Sequence, residues 1–147
     1  MEKEKLLLTC IDKIQKKLND LGAIYDSLQE SLLNETKSSM GDKYETGRSM
    51  IHAEIQKNRH QNGEWLEMLN LCKQISPVRK RQVELGSFVQ TDQHNYFVAV
   101  GLGMLKLNGQ IVYFISPGSP LGRALWQKRV GDQFEINGKI QTVINVK

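Results

Sequence analysis

The stretch "LLLTCIDKIQKKLNDLGAIYDSLQESLL", residues 6–33, decides the fold of the N-terminal half, because apolar side chains recur along it at alternating spacings of four and three residues. An average spacing of about 3.5 residues is that of a helix that buries one stripe against a second helix in a coiled coil. The stripe consists of Leu7, Ile11, Ile14, Leu18, Leu21, Tyr25, Leu28 and Leu32.

A second stripe with the same period follows, although it is weaker and polar at Asn58 and Asn62. It consists of Ile51, Ile55, Asn58, Asn62, Trp65, Leu69 and Cys72, with Leu66 and Met68 beside it. Ser38, Ser39 and Gly41 form helix poorly, so one helix does not pass straight into the next. We therefore expect an antiparallel hairpin that folds back at Met40 to Tyr44 and is roughly 50 Å long. A straight dimeric coiled coil is the alternative.

After Pro77 and the basic run Arg79–Arg81 the apolar period falls to two, which indicates β-strands. The predicted strands are Ser87–Thr91, Tyr96–Val100, Gln110–Ile115, Gln133–Ile136 and Ile140–Val146. Between the third and fourth strands, Ser119 as N-cap and Pro120 at the first helical position predict one short helix. The expected fold is α+β: a coiled-coil hairpin over residues 1–76, then a small antiparallel sheet domain over residues 77–147.

The last two strands can be joined in two ways. A two-residue turn at Asn137-Gly138 would pair Ile136 with Lys139, whereas a three-residue loop ending at Lys139 pairs Ile136 with Ile140. The longer loop keeps one face of the hairpin mostly apolar, and we therefore predict it.

Charge and composition limit the function classes. The chain has 147 residues and a formal net charge of +4. The excess of basic residues lies entirely in residues 77–147, which favours an acidic or polyanionic partner. The sequence contains no apolar run long enough for a membrane helix and no secretory signal, so we expect a cytoplasmic protein. Two cysteines and three histidines without ligand spacing predict neither a structural metal site nor a disulfide framework.

The stretch "SSMGDKYETGRSM", residues 38–50, holds two carboxylates three residues apart, Asp42 and Glu45. This spacing is close to a capping box, and both acids are favourable at a helix N-terminus. The same two side chains lie at the predicted tip of the hairpin, at about residues 40–46, where they could instead serve a partner. From the residues alone both interpretations stay open.

Two C-terminal segments resemble a known family. "LGSFV" (residues 85–89) and "ISPGSPLGRALWQKRVGDQFEINGK" (residues 115–139) are similar to the C-terminal domain of the Gre-type transcript-cleavage factors of bacterial RNA polymerase. That family has a G-S-x-V strand, an I-S-x-x-S-P-L-G-x-A-L element and a G-K-x-x-G-D-x-V strand start. Gln127-Lys128 replaces the usual Gly-Lys, and "GLGMLKLNGQIVYF" (residues 101–114) lacks the acidic cluster that the family often has.

The resemblance extends to the tip, where the family commonly has G-D-x-S-E-N-A-E-Y. Gly41, Asp42 and Glu45 match this pattern, whereas Thr46, Gly47 and Arg48 replace Asn, Ala and Glu. The resemblance implies an FKBP-like C-terminal domain and a hairpin carried through the secondary channel of the polymerase.

The resemblance also implies the roles of individual residues. Asp42 and Glu45 would help to hold a catalytic Mg²⁺ shared with the polymerase while the polymerase cleaves its backtracked transcript, and the isolated chain would need no cofactor. Ser116, Ser119, Pro120 and Leu121 would contact the polymerase rim. The chain would act as a monomer, and it would not be an enzyme by itself. Its partners would be RNA polymerase, the RNA 3′ end and DNA of the elongation complex, with no membrane.

Two other functions remain open at this stage. Arg48 stands where the family has an acid. This favours a regulator that binds the secondary channel without cleavage activity, as Rnk-like and inhibitory Gre homologues do. A stand-alone proline isomerase or chaperone would use the FKBP-like domain alone, but fold does not confer function.

Overall fold

The computed structural model describes residues 2–37 and 41–147, with the backbone alone described at 36–37 and 41–44. Helix α1 spans Lys3–Lys37 and helix α2 spans Gly41–Gln74. Within the predicted turn at Met40 to Tyr44, the backbone is already helical from Gly41 onward. That turn lies partly outside the described residues.

The two helices form an antiparallel hairpin, as predicted. Near the middle of the hairpin, Asn58 Nδ2 of α2 donates to the carbonyl oxygen of Leu21 of α1 at 3.0 Å. Toward the connection, a Cβ placed on Gly47 would lie 2.6 Å from Oε2 of Glu35. Residues farther along α1 thus contact residues nearer the start of α2, so the two helices run in opposite directions.

The residues of the predicted stripes are buried or half-buried, except Leu66, which is exposed and was wrongly placed beside the second stripe. In α2, Ile55, Asn58, Leu69 and Cys72 are all buried. The prediction for the start of α1 was wrong by one position, because Leu6 and Cys10 are fully buried while Leu7 and Ile11 are only half-buried. An α-helix has about 3.6 residues per turn, so its buried face drifts from a strict heptad pattern.

Contacts divide the chain into two compact units. One unit comprises Met1–Ile11 together with Leu71–Lys147, and the other comprises Asp12–Asn70. The start of α1 and the end of α2 therefore belong to the same unit as the sheet. The division into domains 1–76 and 77–147 stays a prediction. Within the described residues, the structure contains no helix with the length and apolar character needed to span a membrane.

The first unit contains a six-stranded sheet and one short helix. The elements in chain order are β1 Phe88–Thr91, β2 Asn95–Val98, β3 Gly103–Leu107, β4 Gln110–Ile115, α3 Pro120–Leu125, β5 Gln133–Ile136 and β6 Lys139–Val146. The strand order across the sheet is β3-β4-β2-β1-β6-β5. This arrangement of a helical hairpin followed by a small sheet with one short helix confirms the predicted α+β fold class.

One pairing corrects the prediction of a purely antiparallel sheet. Strands β2 and β4 are parallel neighbours, with Asn95 opposite Val112 and Val98 opposite Ile115. The cause is β3, which the sequence analysis missed. This strand forms a hairpin with β4 at the edge of the sheet. The chain reverses direction once between β2 and β3 and again between β3 and β4. As a result, β4 runs in the same direction as β2.

The turn between β5 and β6 is also different from the prediction. Ile136 pairs with Lys139 and Phe134 with Gln141, so the turn has two residues and the predicted three-residue loop was wrong. Asn137 and Gly138 have φ angles of 52° and 77°, as a type I′ turn requires. The observed register buries Gln141, whose amide oxygen accepts hydrogen bonds inside the sheet domain and so offsets the cost of burial.

Helix α3 packs closely on the loop before it. The Ser119 hydroxyl accepts a hydrogen bond from Gly122 N at 3.0 Å and donates to Ser116 O at 2.8 Å, and Pro120 follows at the first helical position, as predicted. Gly122 is buried against this loop, and a Cβ placed on it would overlap Ser116 O. Leu125 is fully buried in the core below, which also includes Val98, Ile115 and other side chains of the sheet.

A buried lysine ties the start of α1 to the segment after α2. Lys3 Nζ donates to Val78 O at 2.7 Å, and the side chain is 9% exposed. Burial lowers the pKa of Lys3 to about 8, with a further lowering by the positive charge of Lys80 and an opposing effect of Glu84. The folded chain therefore favours the neutral amine more than the unfolded chain does.

We expect Gly122→Ala to destabilise the protein by about 1–3 kcal/mol, because the added methyl group has no space beside Ser116 O. Urea denaturation measures this change. Gly118→Ala is the matched control in the same loop, since no atom lies within 4 Å of a Cβ at that position. Equal stability of the two variants would contradict the described packing of α3.

Lys3 makes stability depend on pH. Between about 8 and 10.5, its folded and ordinary pKa values, the unfolded chain binds more protons than the folded chain, so the contribution of Lys3 to stability rises with pH. We expect the free energy of unfolding of the wild type to rise relative to Lys3→Met by on the order of 1 kcal/mol between about pH 7 and pH 10. Lys5→Met, at an exposed position of the same helix, controls for the lost charge. A constant difference across this range would show that Lys3 is not buried as described.

Candidate functional site

The tip acids lie at the beginning of α2. Asp42 is in the first turn of the helix, which starts at Gly41, and its side chain lies outside the described residues. Glu45 follows one turn later and is exposed. The helix N-terminus favours negative charge at both positions. Because α2 already includes Asp42, this acid stands within the helix rather than ahead of it, where an N-cap would be.

Arg48 belongs to the inward side of α2. It is half-buried, and it precedes Ile51 by three residues and so continues the buried stripe of this helix toward the tip. Glu45, by contrast, is available to a partner. The charge of Arg48 lies one turn from Glu45, so it reduces the negative potential that the tip acids present.

Among the residues that the structure describes, no group of three or more His, Cys, Asp or Glu side chains is placed to hold a metal ion. Mg²⁺ prefers oxygen ligands and usually keeps several waters, and proteins often hold it through one or two carboxylates only. Two acids on one helix turn could supply one or two ligands of such a site, and a second protein would supply the others.

The predicted polymerase-binding residues lie at and beside a cleft in the sheet domain. This cleft has a volume of about 560 Å³, and its lining includes Ser119, Pro120 and Leu121. Ser116 is not among the lining residues. Its carbonyl oxygen instead accepts the hydrogen bonds of Ser119 that shape the loop, at 3.2 Å from the backbone nitrogen and 2.8 Å from Oγ. The structure thus brings three of the four residues to one concave surface.

Aromatic side chains line the same cleft. The ring of Tyr113 lies 5.1 Å from that of His94 and 5.8 Å from that of Tyr96, and the His94 contact is edge-to-face. Such contacts hold the rings in place and leave an apolar surface for a ligand. The sequence analysis missed these residues as site residues, although Tyr96 and Tyr113 both stand on predicted strands.

A buried polar network supports the aromatic wall. The Tyr96 hydroxyl donates to Gln141 Oε1 at 2.9 Å, and Thr91 Oγ1 donates to the same oxygen at 2.8 Å. Burial raises the pKa of Tyr96, so the hydroxyl keeps its proton and stays a donor. The network was not predicted, because the three-residue loop would have placed Gln141 in a different register.

The basic run after α2 is partly paired. Lys80 Nζ lies 3.4 Å from Glu84 Oε1, whereas Arg79 and Arg81 are exposed. Arg129 Nη2 donates to Gln82 Oε1 at 3.5 Å and so adds a further cation near this segment. Exposed cations attract polyanions at long range but carry no specificity by themselves.

Comparisons with known proteins find similarity only to solved structures. No family model matches the chain, and no curated protein matches it. Among solved structures, the chain is similar to the GreA factor homolog 1 (Gfh1) protein of Thermus thermophilus, with 18% identity over 93% of this chain and 94% of that chain and a TM-score of 0.39. A second structure of the transcription factor Gfh1 gives 17% identity, 93% and 92% coverage and a TM-score of 0.40. Gfh1 of Thermus aquaticus gives 15% identity, 99% and 94% coverage and a TM-score of 0.36. These identities and TM-scores are too low to assign a family or an activity.

Proposed function

We propose that this chain is a bacterial RNA polymerase-binding elongation factor, which inserts its hairpin into the secondary channel and stimulates cleavage of backtracked transcripts. The observation that carries the proposal is the position of Asp42 and Glu45 at the start of α2, where the antiparallel hairpin turns back. The I-S-P-G-S-P-L-G-R-A-L element, which forms the capped helix α3, supports it.

The contribution of the chain to the reaction is limited to two carboxylates. Asp42 and Glu45 would share a Mg²⁺ with the active centre of the polymerase, and a metal ion in such a site can activate a water and stabilise the leaving oxygen. The carboxylates themselves position the ion and its water at the RNA 3′ end. The polymerase hydrolyses the phosphodiester bond, so the chain is not an enzyme by itself.

The sheet domain supplies the docking surface in this proposal. Pro120 is exposed and Leu121 is half-buried at the edge of the cleft, which the rings of His94 and Tyr113 also line. A cleft with apolar walls and a few fixed polar groups suits a protruding segment of a protein partner. The factor would act as a monomer in the bacterial cytoplasm and meet RNA and DNA only within the elongation complex.

A second function is favoured by Arg48. This residue is half-buried and stands one turn from Glu45, where the resembled family has an acid. A positive charge there lowers the affinity of the tip for a divalent cation. In this alternative the chain binds the secondary channel and regulates the polymerase without cleavage.

The tip acids are tested in a backtracked elongation complex. We expect Asp42→Asn and Glu45→Gln each to slow transcript cleavage roughly tenfold or more, because each removes a charged ligand without changing the size of the side chain. Glu54→Gln, at an exposed position farther along α2, is the matched control and should cleave at the wild-type rate. If both tip variants cleave as fast as the wild type, the proposed role of the acids is wrong. Binding of the wild type without cleavage at any Mg²⁺ concentration would select the non-cleaving regulator.

Docking is tested at Pro120. Glu is favourable in the first turn of a helix, so Pro120→Glu should preserve α3 while placing a charge at the mouth of the cleft. We expect its affinity for RNA polymerase to fall about tenfold in a direct binding titration, a loss of about 1.4 kcal/mol. Gln110→Glu introduces the same charge at an exposed position outside the cleft and should bind as the wild type does. Equal affinities would place the docking surface elsewhere.

A further inference from the structure

The two cysteines of the chain lie where the two helices meet. Cys10 of α1 and Cys72 of α2 are both fully buried and free, and both belong to the compact unit that includes the sheet. Cys72 lies in the last turn of α2, which ends at Gln74. Neither cysteine has a role in the proposed function.

The register of the hairpin places the two thiols opposite each other. Seven residues farther along α1 and seven residues back along α2, Lys17 Nζ lies 5.9 Å from the centre of the Trp65 ring. In the other direction, Lys3 is hydrogen-bonded to Val78 O, just beyond the end of α2. Contacts on both sides thus fix the same alignment of the helices.

The thiols also interact with each other. A hydrogen bond from the Cys10 thiol lowers the pKa of Cys72, and the same bond raises the pKa of Cys10. Loss of one proton from this hydrogen-bonded pair gives a thiolate, which the lowered pKa favours at Cys72. The resulting thiolate is the form that attacks a disulfide.

We propose that Cys10 and Cys72 form an intramolecular disulfide, which joins α1 to α2 when the protein meets a small-molecule disulfide. The Cys72 thiolate attacks one sulfur of the oxidant and forms a mixed disulfide, and the first small thiolate leaves. The Cys10 thiol then loses its proton to solvent, and its thiolate attacks the sulfur of Cys72 and releases the second small thiolate. The two cysteines lose two electrons and two protons, and the oxidant becomes two thiols.

The position of the pair provides access for the oxidant. Both thiols are buried in the static structure, but Cys72 is two residues from the end of α2 and Cys10 is two turns from the start of α1. Helix ends open locally at lower free energy than helix centres do. Once formed, the bond closes a loop that contains most of both helices, so it restricts the unfolded chain more than the folded one.

The test uses the full chain and oxidised glutathione. We expect the native protein to lose two hydrogens in mass, to yield a linked peptide that contains Cys10 and Cys72, and to return to its starting mass with a reductant. The urea midpoint of the oxidised wild type should lie above that of the reduced form. The double variant Cys10→Ser/Cys72→Ser should show no such shift, and each single variant should end as a glutathione adduct.

Two results would overturn the proposal. In one, the native chain and the urea-unfolded chain are treated with oxidised glutathione under the same conditions, and only the unfolded chain is oxidised. Both thiols of the native chain then still react with an alkylating reagent. The other is a product that consists only of glutathione adducts or chain-to-chain dimers, because the two sulfurs would then not reach each other in the folded protein.

Discussion

The hydrogen bond from Asn58 Nδ2 to the carbonyl oxygen of Leu21 is the interaction on which the hairpin depends. An amide buried in an otherwise apolar stripe is costly unless it is paired, and in the observed alignment of the helices the carbonyl oxygen of Leu21 is its partner. The bond therefore stabilises the observed register of α1 against α2 at this level of the hairpin.

Two exposed glycines lie close to this bond. Gly22 and Gly63 lie beside it, and a Cβ at either position would have no atom within 4 Å. Glycine within a helix lowers stability by roughly 0.5–1 kcal/mol relative to alanine, so both helices are weakened at this level. The helices enclose a cleft of about 520 Å³ here, lined by both glycines, Asn58 and Tyr25 among others. The polar contact therefore acts together with the buried apolar side chains of both helices, such as Leu21 and Ile55.

Much of the fold could be predicted from local patterns. The heptad stripes predicted the hairpin, and Ser119 with Pro120 predicted the start of α3, because these signals depend on neighbours in sequence. Long-range pairing could not be predicted in the same way. The parallel pairing of β2 with β4 follows from an edge strand whose alternation is weak, and the turn at Asn137-Gly138 follows from the burial of Gln141 by Tyr96. The three-residue loop was predicted because it keeps one face of the hairpin apolar. The burial of the polar Gln141 does not follow that pattern.

The candidate site divides in the same manner. The acids at the tip and the Ser119–Leu121 segment were recognisable by motif, whereas the wall formed by His94, Tyr96 and Tyr113 arises only when separate strands become neighbours. Arg48 shows a further limit of motif matching. Its departure from the family pattern is visible in the sequence, but its place on the inward stripe of α2 is visible only in the structure.

The central claim is that the start of α2 reaches the active centre of RNA polymerase, and site-directed crosslinking tests it most directly. Glu45→Cys in a Cys10→Ser/Cys72→Ser background would carry a thiol-attached photocrosslinker into a backtracked elongation complex, with Gln110→Cys on the sheet domain as the control. The claim predicts crosslinks from position 45 to the RNA 3′ end and to the polymerase active centre, and none to these targets from position 110. Bound protein that gives no such crosslink from position 45 would contradict it.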